Sequence, residues 1–160
     1  MKKVLAALLV GLLSLALSGV AGAAPDEAAV DIAKGKGTDS EGGTFQFSAI
    51  DLDGDAFIDS AATGHVSYEL GSSFFKGQVT CLKAGGGFTT LAGPIEKTNL
   101  PLGEGAGFHI IVLDGEPFGE PDAFRRTIFP GTQSPDCGIF FLPQPIVEGD
   151  IVVIDARPLA

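Results

Sequence analysis

Thr44-Phe45-Gln46-Phe47-Ser48-Ala49 and His65-Val66-Ser67-Tyr68-Glu69-Leu70 decide the fold class of this chain. In the first, Phe45, Phe47 and Ala49 fall on one face. In the second, Val66, Tyr68 and Leu70 share one face, while His65, Ser67 and Glu69 take the other. A two-residue period is the pattern of a strand with one face buried. Working outward, Gly77–Lys83 and Phe88–Ile95 read as a hairpin joined through Ala84-Gly85-Gly86-Gly87. Phe108-His109-Ile110-Ile111-Val112-Leu113 is apolar on both faces and predicts a strand buried on both sides. Phe124–Phe129, Gly138–Leu142 and Ile151–Ala156 complete the set.

No stretch after the N-terminal leader shows a capped helical period. Twenty-three glycines and ten prolines punctuate the chain at short intervals. The expectation is therefore all-β: a small antiparallel meander barrel of about eight strands, with a two-sheet sandwich as the alternative. A meander must close or fold over, because bare strand edges recruit other chains.

The leader is of a different kind. Lys2 and Lys3 precede a charge-free apolar run, Val4–Val20, and Ala21-Gly22-Ala23 offers the small-x-small pattern cut by signal peptidase. The run is shorter than the ~20 residues a bilayer core needs and is broken by Gly11, Ser14, Ser18 and Gly19. It reads as a signal peptide, residues 1–23, cleaved after Ala23. Export to the extracellular space follows, with periplasm or cell envelope as alternatives and no stable membrane anchoring after cleavage. Residues 24–42 read as an acidic, Gly-rich arm with one short strand near Val30–Ala33, and residues 43–160 as a single all-β domain.

The chain carries 20 acidic and 10 basic residues, a formal charge of −10. Cleavage removes two lysines and no acid, which takes the charge to −12. Such a surface repels nucleic acid and anionic lipid, which need basic patches. In an exported protein Cys81 and Cys137 most simply form one disulfide, with a free thiol as the alternative. No C-x-x-C or H-x-x-x-H spacing suggests zinc.

Asp51-Leu52-Asp53-Gly54-Asp55-Ala56-Phe57-Ile58-Asp59 is the sharpest local motif. Asp51, Asp53, Asp55 and Asp59 stand at positions 1, 3, 5 and 9 of a calcium loop, where alternating oxygens wrap a hard cation. Ala56 and Ala62 replace the glycine and glutamate of that loop, and the preceding segment is a strand. A polar turn explains the same residues. Asp114, Glu116, Glu120 and Asp122 form a second acidic turn, which reads as a solvated hairpin loop or as a further source of oxygens for a cation.

Catalytic patterns are sparse. No G-x-S-x-G elbow exists, and Gly103-Glu104-Gly105-Ala106-Gly107 precedes a strand where a phosphate loop needs a helix. A carboxylate pair for glycoside hydrolysis stays open. Arg125 and Arg126, adjacent in a strand, point to opposite faces; an inward arginine needs a carboxylate partner and, with His109, would form the centre of a polar pocket, while a bulge or a strand edge leaves both arginines in water.

Gly77-Gln78-Val79-Thr80-Cys81-Leu82, Gly93-Pro94-Ile95 and Gly149–Ala156 resemble a family of secreted, actinobacterial-type all-β proteins with a G-x-V-T-C-L strand. Pro94 and the Gly85–Gly87 run depart from its pattern. The resemblance implies export and an all-β fold; it implies no activity and no catalytic residues.

Three functions fit these readings. One is a non-enzymatic secreted module that binds an extracellular protein or has a structural role. The second is a small-ligand carrier or cyclase-like barrel enzyme with a lumen lined by phenylalanine, suited to a small apolar ligand. The third is a calcium-assisted adhesion module, calcium being the one cofactor the sequence suggests. A cation held only by the folded loop raises the melting temperature in millimolar calcium; an unchanged melt removes the third function.

Overall fold

The computed structural model describes residues 30–52, 62–102, 105–130, 137–138 and 141–155. Asp53, Asp55 and Asp59 of the calcium motif lie outside them, as does the leader. Ten strands follow one another: β1 Asp31–Thr38, β2 Thr44–Asp51, β3 Thr63–Leu70, β4 Ser73–Val79, β5 Cys81–Gly85, β6 Phe88–Thr98, β7 Gly107–Leu113, β8 Ala123–Phe129, β9 Gln144–Pro145 and β10 Glu148–Ile154. A single 3-10 turn, Glu116–Phe118, lies between β7 and β8.

All the strand pairings are antiparallel and form one sheet in the order β10-β1-β2-β3-β4-β6-β7-β8-β9, with β5 paired to β6. The sheet curls into a half-barrel, so the sandwich is set aside. Beyond being the longest strand, β6 is the pivot. Its first half pairs with β5 and its second half with β4. The Gly77–Lys83 segment, expected as one strand, is therefore two strands parted at Thr80, whose N–H donates to Ala92 O at 2.9 Å.

Two boundaries differ from the sequence reading. The short strand expected near Val30–Ala33 runs on to Thr38, so this part of the chain is no loose arm: β1 lies between β2 and β10, in register along its whole length with β2. Gly35 and Gly37 hide this strand from a periodicity argument. They occupy inward positions opposite Phe47 and Phe45, and a Cβ at Gly35 would stand 2.7 Å from Phe47 Cζ. The rings occupy the space above the glycines, so the apolar alternation is carried by the neighbouring strand. The expected strand at Gly138–Leu142 is absent from its described residues, and the short β9 pairs with β8 instead.

The interior is filled by a chain of rings. Phe47 contacts Phe45, Phe45 stacks on Phe124 at 4.1 Å between centroids, and Tyr68 links Phe124 to Phe75, which meets Phe108 at 6.0 Å. All six are buried. These phenylalanines are core, and the expected Phe-lined lumen is corrected accordingly. As the sequence predicts, β7 is buried on both faces. Phe108, Ile110 and Val112 point inward, while His109 and Ile111 lie on the outer face.

On that outer face the Cys81–Cys137 disulfide forms, with Cα atoms 6.0 Å apart, and packs on Ala92. Closing a loop across 56 positions restricts the unfolded chain by about 4 kcal/mol in the chain-entropy treatment.

A curled sheet that stops short of closure leaves edges, and here two aspartates cover one of them. Among the described residues no strand pairs with the edge of β10 turned away from β1. Ile151 N–H donates to Asp122 Oδ2 at 2.7 Å and Val153 N–H to Asp114 Oδ2 at 3.0 Å. The other oxygen of each carboxylate accepts from the loop itself, Gly115 N–H at Asp122 and Glu116 N–H at Asp114. The second acidic turn thus serves as a seam. Replacing Asp122 by Ala orphans two backbone donors and should cost about 1–3 kcal/mol, read as a lowered melting temperature and faster hydrogen exchange at the Ile151 amide. Parental melting and exchange would show that the carboxylate does not hold the seam.

Candidate functional site

The strand pleat distributes the residues marked as a pocket. Across β7 and β8, Ile110 stands opposite Arg126 and Ile111 opposite Arg125. Arg126 therefore shares the inward face of Ile110, and Arg125 the outward one. As expected, the inward arginine has a carboxylate partner: Arg126 Nη2 lies 2.9 Å from Glu41 Oε2. Arg125 Nη1 donates to Leu142 O at 3.1 Å, and its guanidinium covers the Phe141 ring.

His109 joins neither. It faces outward between Ala92 and Thr127 in the register, buried, with its ring edge-on to Phe129. The pocket combining His109 with the inward arginine is thus corrected, because consecutive pleat positions hold them on opposite faces of the sheet.

What Arg126 does meet was not legible in the sequence. Asp39 follows β1 and organises the turn to β2, its Oδ1 accepting from Glu41 N–H at 2.9 Å and Gly43 N–H at 2.8 Å. An aspartate that bonds the backbone two and four residues on is a turn-forming device. Its other oxygen, Oδ2, accepts from Tyr68 Oη at 2.8 Å. Gly43 makes that reach available, since a Cβ there would overlap the Tyr68 hydroxyl. The Arg126 guanidinium lies over the Tyr68 ring, 4.0 Å from its centroid. Arg126 Nε is buried and has no hydrogen-bond partner among the described residues.

Turn, ring and guanidinium come from β1–β2, β3 and β8, and they meet at one end of the half-barrel. Burial pushes the Tyr68 phenol up to about 12, helped by the hydrogen bond to the Asp39 carboxylate and opposed by Arg126 through hydrogen bonding and charge.

Two cavities flank Arg126. A polar one of about 140 Å³ is lined by Asp39, Ser40, Glu41 and Gln144, where Ser40 Oγ donates to Gln144 Oε1 at 2.8 Å. The other, of about 200 Å³, is mainly apolar and lined by Leu70, Phe74, Leu100 and Ile128 with the Tyr68 ring. One signal pointed here: the chain has a single tyrosine. On an inward strand face its hydroxyl had to find a buried acceptor.

Of the calcium motif only Asp51 is described. It is buried at the end of β2, opposite the buried Asp31 of β1. Among the described residues no group of three or more His, Cys, Asp or Glu is placed to hold a metal ion. Among the same residues, no helix is long and apolar enough to cross a membrane. Compared with family models, curated proteins and solved structures, the chain matches none.

The lone tyrosine makes the cluster directly measurable, because phenolate absorbance reports Tyr68 alone. Its midpoint should fall near pH 12 instead of 10 and move down in Asp39→Asn. A folded-state value above the unfolded one stabilises the chain fully below pH 10, and that stabilisation is lost as pH rises toward 12. Ionisation at the ordinary value in the folded protein would contradict this arrangement.

Proposed function

We propose that this chain is an exported, non-enzymatic β module that acts by binding, and that the rim around Tyr68 and Arg126 is where it binds. The observation that carries this reading is the convergence of an anchored ring, a guanidinium and two cavities at one end of an interior otherwise filled by aromatic rings. A filled core leaves a ligand the rim and not a lumen. Hence the reading favours a module over a barrel enzyme whose chemistry would need an enclosed space.

Export is supported by the leader's composition and by the disulfide, a bond that persists in oxidising compartments. The resemblance to secreted actinobacterial-type proteins points the same way. With the leader removed, the charge of −12 steers the module away from nucleic acid and toward extracellular proteins or small molecules.

Two measurements test the proposal. N-terminal sequencing of protein recovered from culture medium should begin at Ala24; a chain retained with its leader overturns export. A backbone amide spectrum, titrated with fractions of that medium, should shift resonances of Asp39, Tyr68 and Arg126. Fractions that shift nothing, or only residues away from the rim, overturn binding at this site.

A further inference from the structure

We propose that the apolar rim cavity takes a small organic monocarboxylate, an apolar ring or short chain, with the acid group on Arg126. The inference rests on the binding reading above and names its ligand class.

Size comes first. An engineered cavity of about 150 Å³ admits a benzene ring, whereas drug-sized ligands fill roughly 300 Å³ or more. At about 200 Å³ the cavity suits one ring, or a short aliphatic chain, with a small head group. Its walls of Leu70, Phe74, Leu100 and Ile128 offer the body of such a molecule much to pack against, with Ser73 the one other polar side chain besides Tyr68 and Arg126 in the lining. A ligand confined there gains mainly from apolar surface removed from water.

Charge selects the head group. Arg126 is the charged residue lining this cavity, and it is cationic in a chain whose net charge is −10. A planar guanidinium matches a carboxylate through paired N–H donors. It has five N–H groups. In this structure Nη2 is held by Glu41, while the buried Nε has no hydrogen-bond partner among the described residues. The Glu41 side chain is 62 % exposed, so its carboxylate can swing into water when another arrives. It acts as a stand-in for the ligand's own acid group.

Preorganisation completes the case. The guanidinium carbon lies over the Tyr68 ring, 4.0 Å from its centroid; the Tyr68 hydroxyl is tied to Asp39, which is tied in turn to the backbone of its own turn. Little side-chain freedom remains to be lost on binding. A second negative charge on the ligand would sit beside Asp39 and Glu41, so dicarboxylates and phosphates are disfavoured.

The test is an amide-spectrum titration of the mature chain with 3-phenylpropionate and hexanoate, and with 3-phenylpropionamide as the uncharged control. Expected are saturable shifts at Leu70, Leu100 and Arg126, with the amide weaker by at least about tenfold, the loss of one charge-assisted hydrogen bond. Glu41→Gln, which removes the competing carboxylate, should tighten binding of the acids. Ile128→Trp, which fills the cavity, should abolish it. An unshifted Tyr68 phenolate titration shows that each variant keeps the rim folded.

Equal affinity for acid and amide overturns the proposal, as does undiminished binding to folded Ile128→Trp. So does the absence of shifts at millimolar probe. In that last case, medium fractions that still move the rim leave the binding reading standing and remove only this ligand class. A rim silent to both removes both.

Discussion

Six rings in contact, Phe47–Phe45–Phe124–Tyr68–Phe75–Phe108, run through the half-barrel and join β2, β8, β3, β4 and β7. Each aromatic side chain buries roughly 150–250 Å², about 4–6 kcal/mol apiece at the usual area coefficient and an upper bound. The Phe45–Phe124 stack is the decisive link. It sets a ring of β2 against one of β8, five positions away in the sheet order, and only a curled sheet allows that contact. The rings in turn impose glycine where the walls must come close. A Cβ at Gly77 would stand 2.6 Å from Phe108 Cε1, just as one at Gly35 would press into Phe47.

Curling the sheet around the rings leaves an edge problem, and the molecule solves it with side chains. Asp114 and Asp122 each hold their own loop with one oxygen and the edge of β10 with the other. Gly86 N–H, donated to Asp155 Oδ2, secures the far end of the same strand. Such capping satisfies backbone donors that another chain could otherwise pair with. Part of the acidity that reads as solvation or cation affinity is therefore structural.

The rim grows out of the core. Tyr68 is both a link in the ring chain and the plate on which Arg126 lies, and its hydroxyl reaches the turn that carries Glu41. A disturbance in the aromatic packing would reach the guanidinium through one shared side chain. In the sequence, Tyr68 was legible as buried and Arg126 as one of two candidates for an inward charge. Asp39 and Glu41 were not. They stand in a stretch whose glycines look like loop punctuation, and their partners are 29 and 85 positions away.

Local chemistry alone determined the strand character of β2, β3, β6, β7 and β8, because alternation and turn residues act between near neighbours in the chain. It also pointed to the pairing of the two cysteines, since the chain has only two, whereas the choice between an inward arginine and two solvated ones needed the register of β7 with β8. Tertiary structure alone decided that the short strand expected near Val30–Ala33 runs on to Thr38, because the rings covering Gly35 and Gly37 belong to β2. It alone decided that His109 and Arg126 lie apart, since only the register with β6 and β8 tells which face is inside. The rim was likewise settled by folding: its groups come from segments that meet only when the sheet curls.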